Sequence, residues 1–117
     1  PPGDLAKGVA VLSDFAQSQG IEGAVFAEGS GISRDNRVTA RHLMGALAAF
    51  EPHRGLMRCE DGDCYKTGTL NGVRSRAGYL EGPAGDVWRY VVIRNTPGQT
   101  TDAPLQRIRA AVRGAPR

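Results

Sequence analysis

At 117 residues, with 40% hydrophobic and 23% charged side chains, the chain has the size and composition of one small folded domain or part of a larger one. It is too apolar for a disordered polyelectrolyte, and no apolar run reaches the length of a membrane span. The net charge is +3, carried by thirteen arginines and two lysines. The arginines are scattered among acidic residues, with few aromatics between them, so the excess does not point to nucleic-acid binding.

In chain order, Asp4 is placed to cap a helix over 4–19, whose apolar positions Leu5, Val9, Leu12 and Phe15 follow helical spacing and read as core. A short strand is expected over 24–27, running into the glycine-punctuated turn that follows it. Thr39 caps a second helix over 39–51, with Leu43, Met44, Leu47 and Phe50 as its apolar stripe and Pro52 as its stop.

The period then changes from helical to alternating. Strands are expected over 64–70, 73–81 and 86–95. The first two are joined by Asn71-Gly72, a strong two-residue hairpin signal, and the last two by "EGPAGD". The third strand, with Trp88, Tyr90 and Val92 opposing Val87, Val91 and Ile93, is apolar on both faces and so is expected to be central. Asp102 then caps a helix over 102–113 carrying Leu105, Ile108 and Val112, with Pro104 in the first turn. The pattern predicts an α+β fold: a three-stranded antiparallel meander with N-terminal and C-terminal helices, forming part of a larger sheet.

Cys59 and Cys64 flank "EDGD", whose Asp61-Gly62 suits a tight turn. They are a disulfide candidate for an oxidising compartment, with two free thiols as the alternative. There is no second cysteine pair, and His42 and His53 lie eleven residues apart. A metal site is therefore not expected, and no cofactor is called for.

Two segments together carry a family resemblance. "EGSGISRDNRVTARHLMGAL", Glu28 to Leu47, resembles the D-G-S-G-L-S-R-x-N segment of bacterial D-alanyl-D-alanine carboxypeptidases/endopeptidases, the class C low-molecular-mass penicillin-binding proteins. "YKTGTLNGVRSRAGYLEG", Tyr65 to Gly82, is similar to that family's K-T-G-[TS]-L followed by a V…A-G-Y strand. The resemblance runs from about Gly23 to Asn95, with Glu28 standing where the family usually has Asp.

The resemblance implies a peptidoglycan stem peptide laid along the K-T-G strand as an added strand, with β-lactams as the related ligands. Lys66 then brings positive charge to the cleft, and the Thr67 hydroxyl holds the substrate's terminal carboxylate. Gly68 leaves room for close backbone approach, and the Thr69 N–H serves as an oxyanion donor. Ser30, Arg34, Asp35 and Asn36 are expected to pin a loop rather than to do chemistry.

Acyl transfer needs a nucleophile with an activating base. None of Ser13, Ser18, Ser30, Ser33 and Ser75 is followed by Lys at the third position or by Asn at the second, so S-x-x-K and S-x-N are both absent. The expected reading is the C-terminal part of a longer extracytoplasmic hydrolase, inactive by itself, whose partner is the upstream part of the same protein. The alternatives are a non-catalytic module binding stem peptide or a protein partner, and a basic surface formed by Arg107, Arg109 and Arg113 on the last helix.

Overall fold

The computed structural model describes residues 3–114. It is α+β, with three α-helices and one four-stranded antiparallel sheet. The chain divides into two compact units, one reaching to Ala49 and the other starting at Phe50.

The first unit holds α1 (Leu5–Ser18) and most of α2 (Ala40–Phe50). The Asp4 carboxylate accepts from the Lys7 N–H at 2.8 Å, which satisfies one of the donors left over at a helix start. α2 opens with a reciprocal cap. The Thr39 Oγ1 accepts from the His42 N–H at 3.1 Å, and His42 Nδ1 accepts from the Thr39 N–H at 3.0 Å. Histidine thus fills the place that Glu or Gln takes in the usual capping box. With Nδ1 accepting, Nε2 carries the hydrogen and donates to the Glu22 carbonyl at 2.7 Å, tying the preceding loop to the helix. On α2, a Cβ at Gly45 would come within 2.9 Å of Ile21 Cγ1, so the missing side chain is what lets Ile21 pack there.

Two expectations for this unit need correction. The α1 stripe is not a core: Val9 and Leu12 are half-buried, while Leu5 and Phe15 are 65% and 58% exposed, and only Ala16 is buried on that helix. Two helices and a loop supply too little apolar layer to cover that face. Residues 24–27 do not form a strand. A single antiparallel bridge joins Val25 to Arg37, with N–H···O distances of 2.8 Å both ways. Beyond it the backbone donors turn to a side chain instead of a neighbouring strand, as Ala27 N–H and Glu28 N–H both donate to Asn36 Oδ1.

The second unit begins with a 3-10 helix, Glu51–Leu56, which carries Pro52 in its opening turn. The sheet follows in the order β1 (Arg58–Glu60), β2 (Asp63–Leu70), β3 (Val73–Glu81) and β4 (Val87–Arg94). β1 is additional to the three expected strands, and β4 is an edge of the sheet among the described residues, not a central strand. Its apolar character is used on one face only. Tyr90 and Val92 are buried on the face under α3, while on the other face Val87 is 36% exposed and Val91 and Ile93 are only half-buried.

Each hairpin is closed by the turn its residues dictate. Asp61 and Gly62 have φ of 51° and 77°, the paired left-handed conformation of a tight two-residue turn between Glu60 and Asp63. Asn71-Gly72 joins Leu70 to Val73, with Gly72 at φ 78°.

α3 (Asp102–Arg113) covers one sheet face. Leu105, Ile108 and Val112 pack on Leu80, Tyr90 and Val92 to form the core of this unit. Its N-cap is Thr101, and Asp102 stands in the first turn, where its charge still complements the helix dipole.

Candidate functional site

The register of the central hairpin fixes what each motif residue faces. Thr67 pairs with Arg76, Gly68 with Ser75 and Thr69 with Arg74. Alternation puts Thr67 and Thr69 on the face covered by α3, and Lys66 and Gly68 on the other. Lys66, Thr67 and Thr69 are exposed, and Gly68 is half-buried. The Lys66 ammonium donates to the Thr67 carbonyl at 2.9 Å.

β1 pairs only with Asp63, Cys64 and Tyr65. From Lys66 to Leu70 the outer edge of β2 has no strand partner among the described residues. An open run of main-chain donors and acceptors beside K-T-G-T-L is the geometry that accepts an extended peptide.

The glycines around this strand differ in kind. A Cβ at Gly68 would stand 2.5 Å from Ser75 Oγ, so the space above Gly68 is occupied by its cross-strand partner's hydroxyl. A Cβ at Gly78 would meet the Cys64 carbonyl oxygen at 2.5 Å and Tyr65 Cβ at 2.9 Å, both on or next to backbone. Gly78 therefore allows β2 and β3 to approach at the start of the motif strand.

Cys59 and Cys64 are directly opposed in the register and joined by a disulfide, with Cα atoms 4.0 Å apart. The bond ties β1 to β2 two residues before Lys66.

Glu28 is the hub of its loop. One carboxylate oxygen accepts from the Ser30 N–H at 2.6 Å and from the Ser30 hydroxyl. The other accepts from the Ser33 N–H at 2.9 Å and from Asn36 Nδ2 at 2.8 Å. These donors, led by the Ser30 hydroxyl, hold the Glu28 carboxyl down at a pKa of about 2. Ser30 and Asn36 do pin the loop as expected, but the anchor they share is Glu28. Arg34 and Asp35 accompany them in sequence, with the Asp35 N–H donating to Ser33 Oγ at 3.1 Å.

Sequence reasoning missed a buried charge cluster in the second unit. Asp63 is 1% exposed, and its Oδ2 accepts from Arg76 Nη2 at 2.7 Å and Arg109 Nη2 at 3.3 Å. The Tyr90 hydroxyl donates to Asp63 Oδ1 at 2.8 Å and accepts from Arg76 Nε at 2.9 Å. Burial first, and then the Asp63 hydrogen bond, push the Tyr90 phenol up to about 12. The Arg76 guanidinium also stacks 3.5 Å from the centroid of the Tyr65 ring. Arg109 is therefore turned toward the sheet and does not belong to a solvated basic face with Arg107 and Arg113. The sequence carried no local signal for it, because Asp63 is the last residue of the turn-like "EDGD" run that precedes the expected strand.

Among the described residues no three His, Cys, Asp or Glu gather as metal ligands, and no helix is long and apolar enough to cross a membrane.

No curated protein matches the sequence. A family model does, that of the D-Ala-D-Ala carboxypeptidase 3 (S13) family, over residues 1–62. The match takes in the Glu28–Asn36 loop and the first cysteine and ends just before the K-T-G strand. It spans more than half of the sequence, and on that ground the chain belongs to the D-Ala-D-Ala carboxypeptidase 3 (S13) family of peptidases.

Proposed function

We propose that this chain supplies the substrate-binding strand of a serine-type D-Ala-D-Ala carboxypeptidase/endopeptidase acting on peptidoglycan stem peptides outside the cytoplasm. The observation that carries this reading is the unpaired edge of β2 from Lys66 to Leu70, beside an exposed Lys66 and Thr67. A stem peptide adds there as a further strand. The Thr67 hydroxyl takes its terminal carboxylate, Lys66 contributes positive charge, and the Thr69 N–H meets the oxygen on which negative charge develops. One such donor is typically worth about 3 kcal/mol in the barrier.

The hydroxyl that attacks the peptide is not among these 117 residues, because no serine has the S-x-x-K or S-x-N context. In this reading the nucleophile and its base come from residues upstream of Pro1, and β-lactams acylate that serine. The Cys59–Cys64 disulfide supports an extracytoplasmic setting, since such bonds persist where thiols are not kept reduced.

A fluorescent penicillin tests the proposal on two proteins, this chain and the full-length parent that contains it. The parent is expected to be labelled covalently and the 117-residue chain to stay unlabelled. Labelling of the chain by itself, or an unlabelled parent, would overturn the reading.

A further inference from the structure

Among the described residues of the second unit, three ion pairs join opposite charges. Asp63 is shared by Arg76 and Arg109, and Arg58 meets Glu60 at 2.6 Å. Arg74 and Arg94 are direct cross-strand partners on β3 and β4, and Arg74 is also the partner of Thr69 on β2. Thr69, Arg74 and Arg94 therefore form one row across three adjacent strands, on one face, at the Leu70 end of the open edge.

Like charges set directly opposite each other in a sheet repel. Neither arginine has a carboxylate within ion-pair distance among the described residues. Arg74 Nη1 donates to the Leu70 and Val73 carbonyls at 2.9 and 3.0 Å, and Arg94 Nε donates to Gln99 Oε1 at 3.0 Å. These acceptors are neutral, so they orient the two heads without offsetting the charge. Arg74 Nε and Nη2 and both Nη atoms of Arg94 keep their hydrogens for another acceptor. Pro97 lies against the hairpin turn, 3.4 Å from where a Gly72 Cβ would be, so the loop bearing Gln99 and the turn below Arg74 meet at this end of the sheet.

We infer that the Thr69–Arg74–Arg94 row is a carboxylate-binding subsite for an acidic residue of the peptide that adds to the β2 edge. The inference rests on the peptide-edge part of the proposed function. A carboxylate accepts in-plane hydrogen bonds from guanidinium groups and relieves their mutual repulsion. An extended peptide paired with Lys66–Leu70 delivers a side chain to the row through its alternation, and the oxyanion a peptide carries there is a carboxylate. Thr69 adds its hydroxyl as the neutral donor nearest the edge.

The test uses this chain, isotope-labelled, and three probes: acetyl-Ala-Ala-Glu-Ala-Ala-amide, the same peptide with Gln for Glu, and inorganic phosphate. NMR follows the amides of residues 66–70 and the Nε–H signals of Arg74 and Arg94. The Glu peptide is expected to shift both sets saturably and to bind about fivefold tighter than the Gln peptide. That preference is expected to disappear in Arg74→Gln and Arg94→Gln and to survive in Arg107→Gln, an exposed helix position outside the row.

Equal affinity for the two peptides, a preference that survives both substitutions, no peptide binding, or phosphate shifts without a Glu preference would each overturn the subsite. A Glu preference in this chain beside a parent unlabelled by penicillin would keep the subsite and remove the catalytic reading. A labelled parent with no Glu preference would do the reverse.

Discussion

Glu28 shows how one methylene is absorbed at the residue scale. Its carboxylate reaches two backbone N–H groups, a hydroxyl and an amide within a nine-residue stretch, so the loop is organised around an ionised side chain. Its pKa is lowered from 4.5 to about 2, so the loop's stabilisation is complete above about pH 4.5 and is lost as pH falls toward 2. The Glu28 side-chain carbon, followed by NMR across pH 1.5 to 7, is expected to titrate near 2, with the Ser30 and Ser33 amides moving in step. A midpoint near 4.5 would contradict the hydrogen-bonded loop.

The two motif glycines make a second residue-scale prediction. Gly78→Ala forces a Cβ against the Cys64 carbonyl and Tyr65, neither of which can swing away. A loss of about 2–3 kcal/mol in urea unfolding is expected. Gly68→Ala meets only the Ser75 hydroxyl, which has other rotamers. Its cost is expected below about 1 kcal/mol, and smaller still in combination with Ser75→Ala.

At the scale of elements, the β1–β2 hairpin is the least self-sufficient part of the sheet. β1 has three residues, all exposed, and is held by three register pairs and one covalent bond. Closing so short a loop in the unfolded chain accounts for about 2 kcal/mol. Reduction with dithiothreitol is expected to lower the stability of the second unit by that amount. In hydrogen exchange, protection is expected to drop at residues 58–65 before it drops in β3.

This hairpin also marks what could be read in the sequence. Asp61-Gly62 and Asn71-Gly72 were legible because a tight turn needs residues that tolerate positive φ or a sharp reversal. The α3 stripe was legible from its 3.6-residue period. β1 was not, because Arg58, Cys59 and Glu60 have no alternation and become a strand through pairing and the disulfide. Residues 24–27 misled for the opposite reason: Val25 and Phe26 have strand propensity, but the donors beside them go to Asn36. The centrality read into β4 failed because apolarity on two faces does not say which edges are paired.

At the scale of the whole molecule, Asp63 is the point where all three long strands and α3 meet. β2 supplies the carboxylate, β3 and α3 supply the two guanidiniums, and β4 supplies the phenol. Nothing local announces this, since Asp63 and Arg109 are 46 positions apart and meet only after the sheet and helix have packed. Asp63→Asn leaves two partly buried cations facing a neutral amide, and a loss of about 3 kcal/mol is expected. Chemical denaturation measures it, and Arg107→Gln on the exposed side of α3 serves as the near-neutral reference. The K-T-G motif is the converse case. Its residue types and order were legible, but its openness was not, because that depends on where β1 stops.

The bare outer edge of β4 bears on how copies of this chain behave together. Among the described residues no strand lies along this side of Val87–Arg94, so every second residue turns its N–H and C=O outward beside the exposed Trp88 and Val87, which is the kind of surface on which a second chain templates and precipitates. The stretch contains Arg89 and Arg94, one on each face, and no acidic residue, so two copies meeting edge to edge would bring four positive charges to one seam. Electrostatic repulsion is thereby written into the strand as a brake on self-association, and added salt is what would release it.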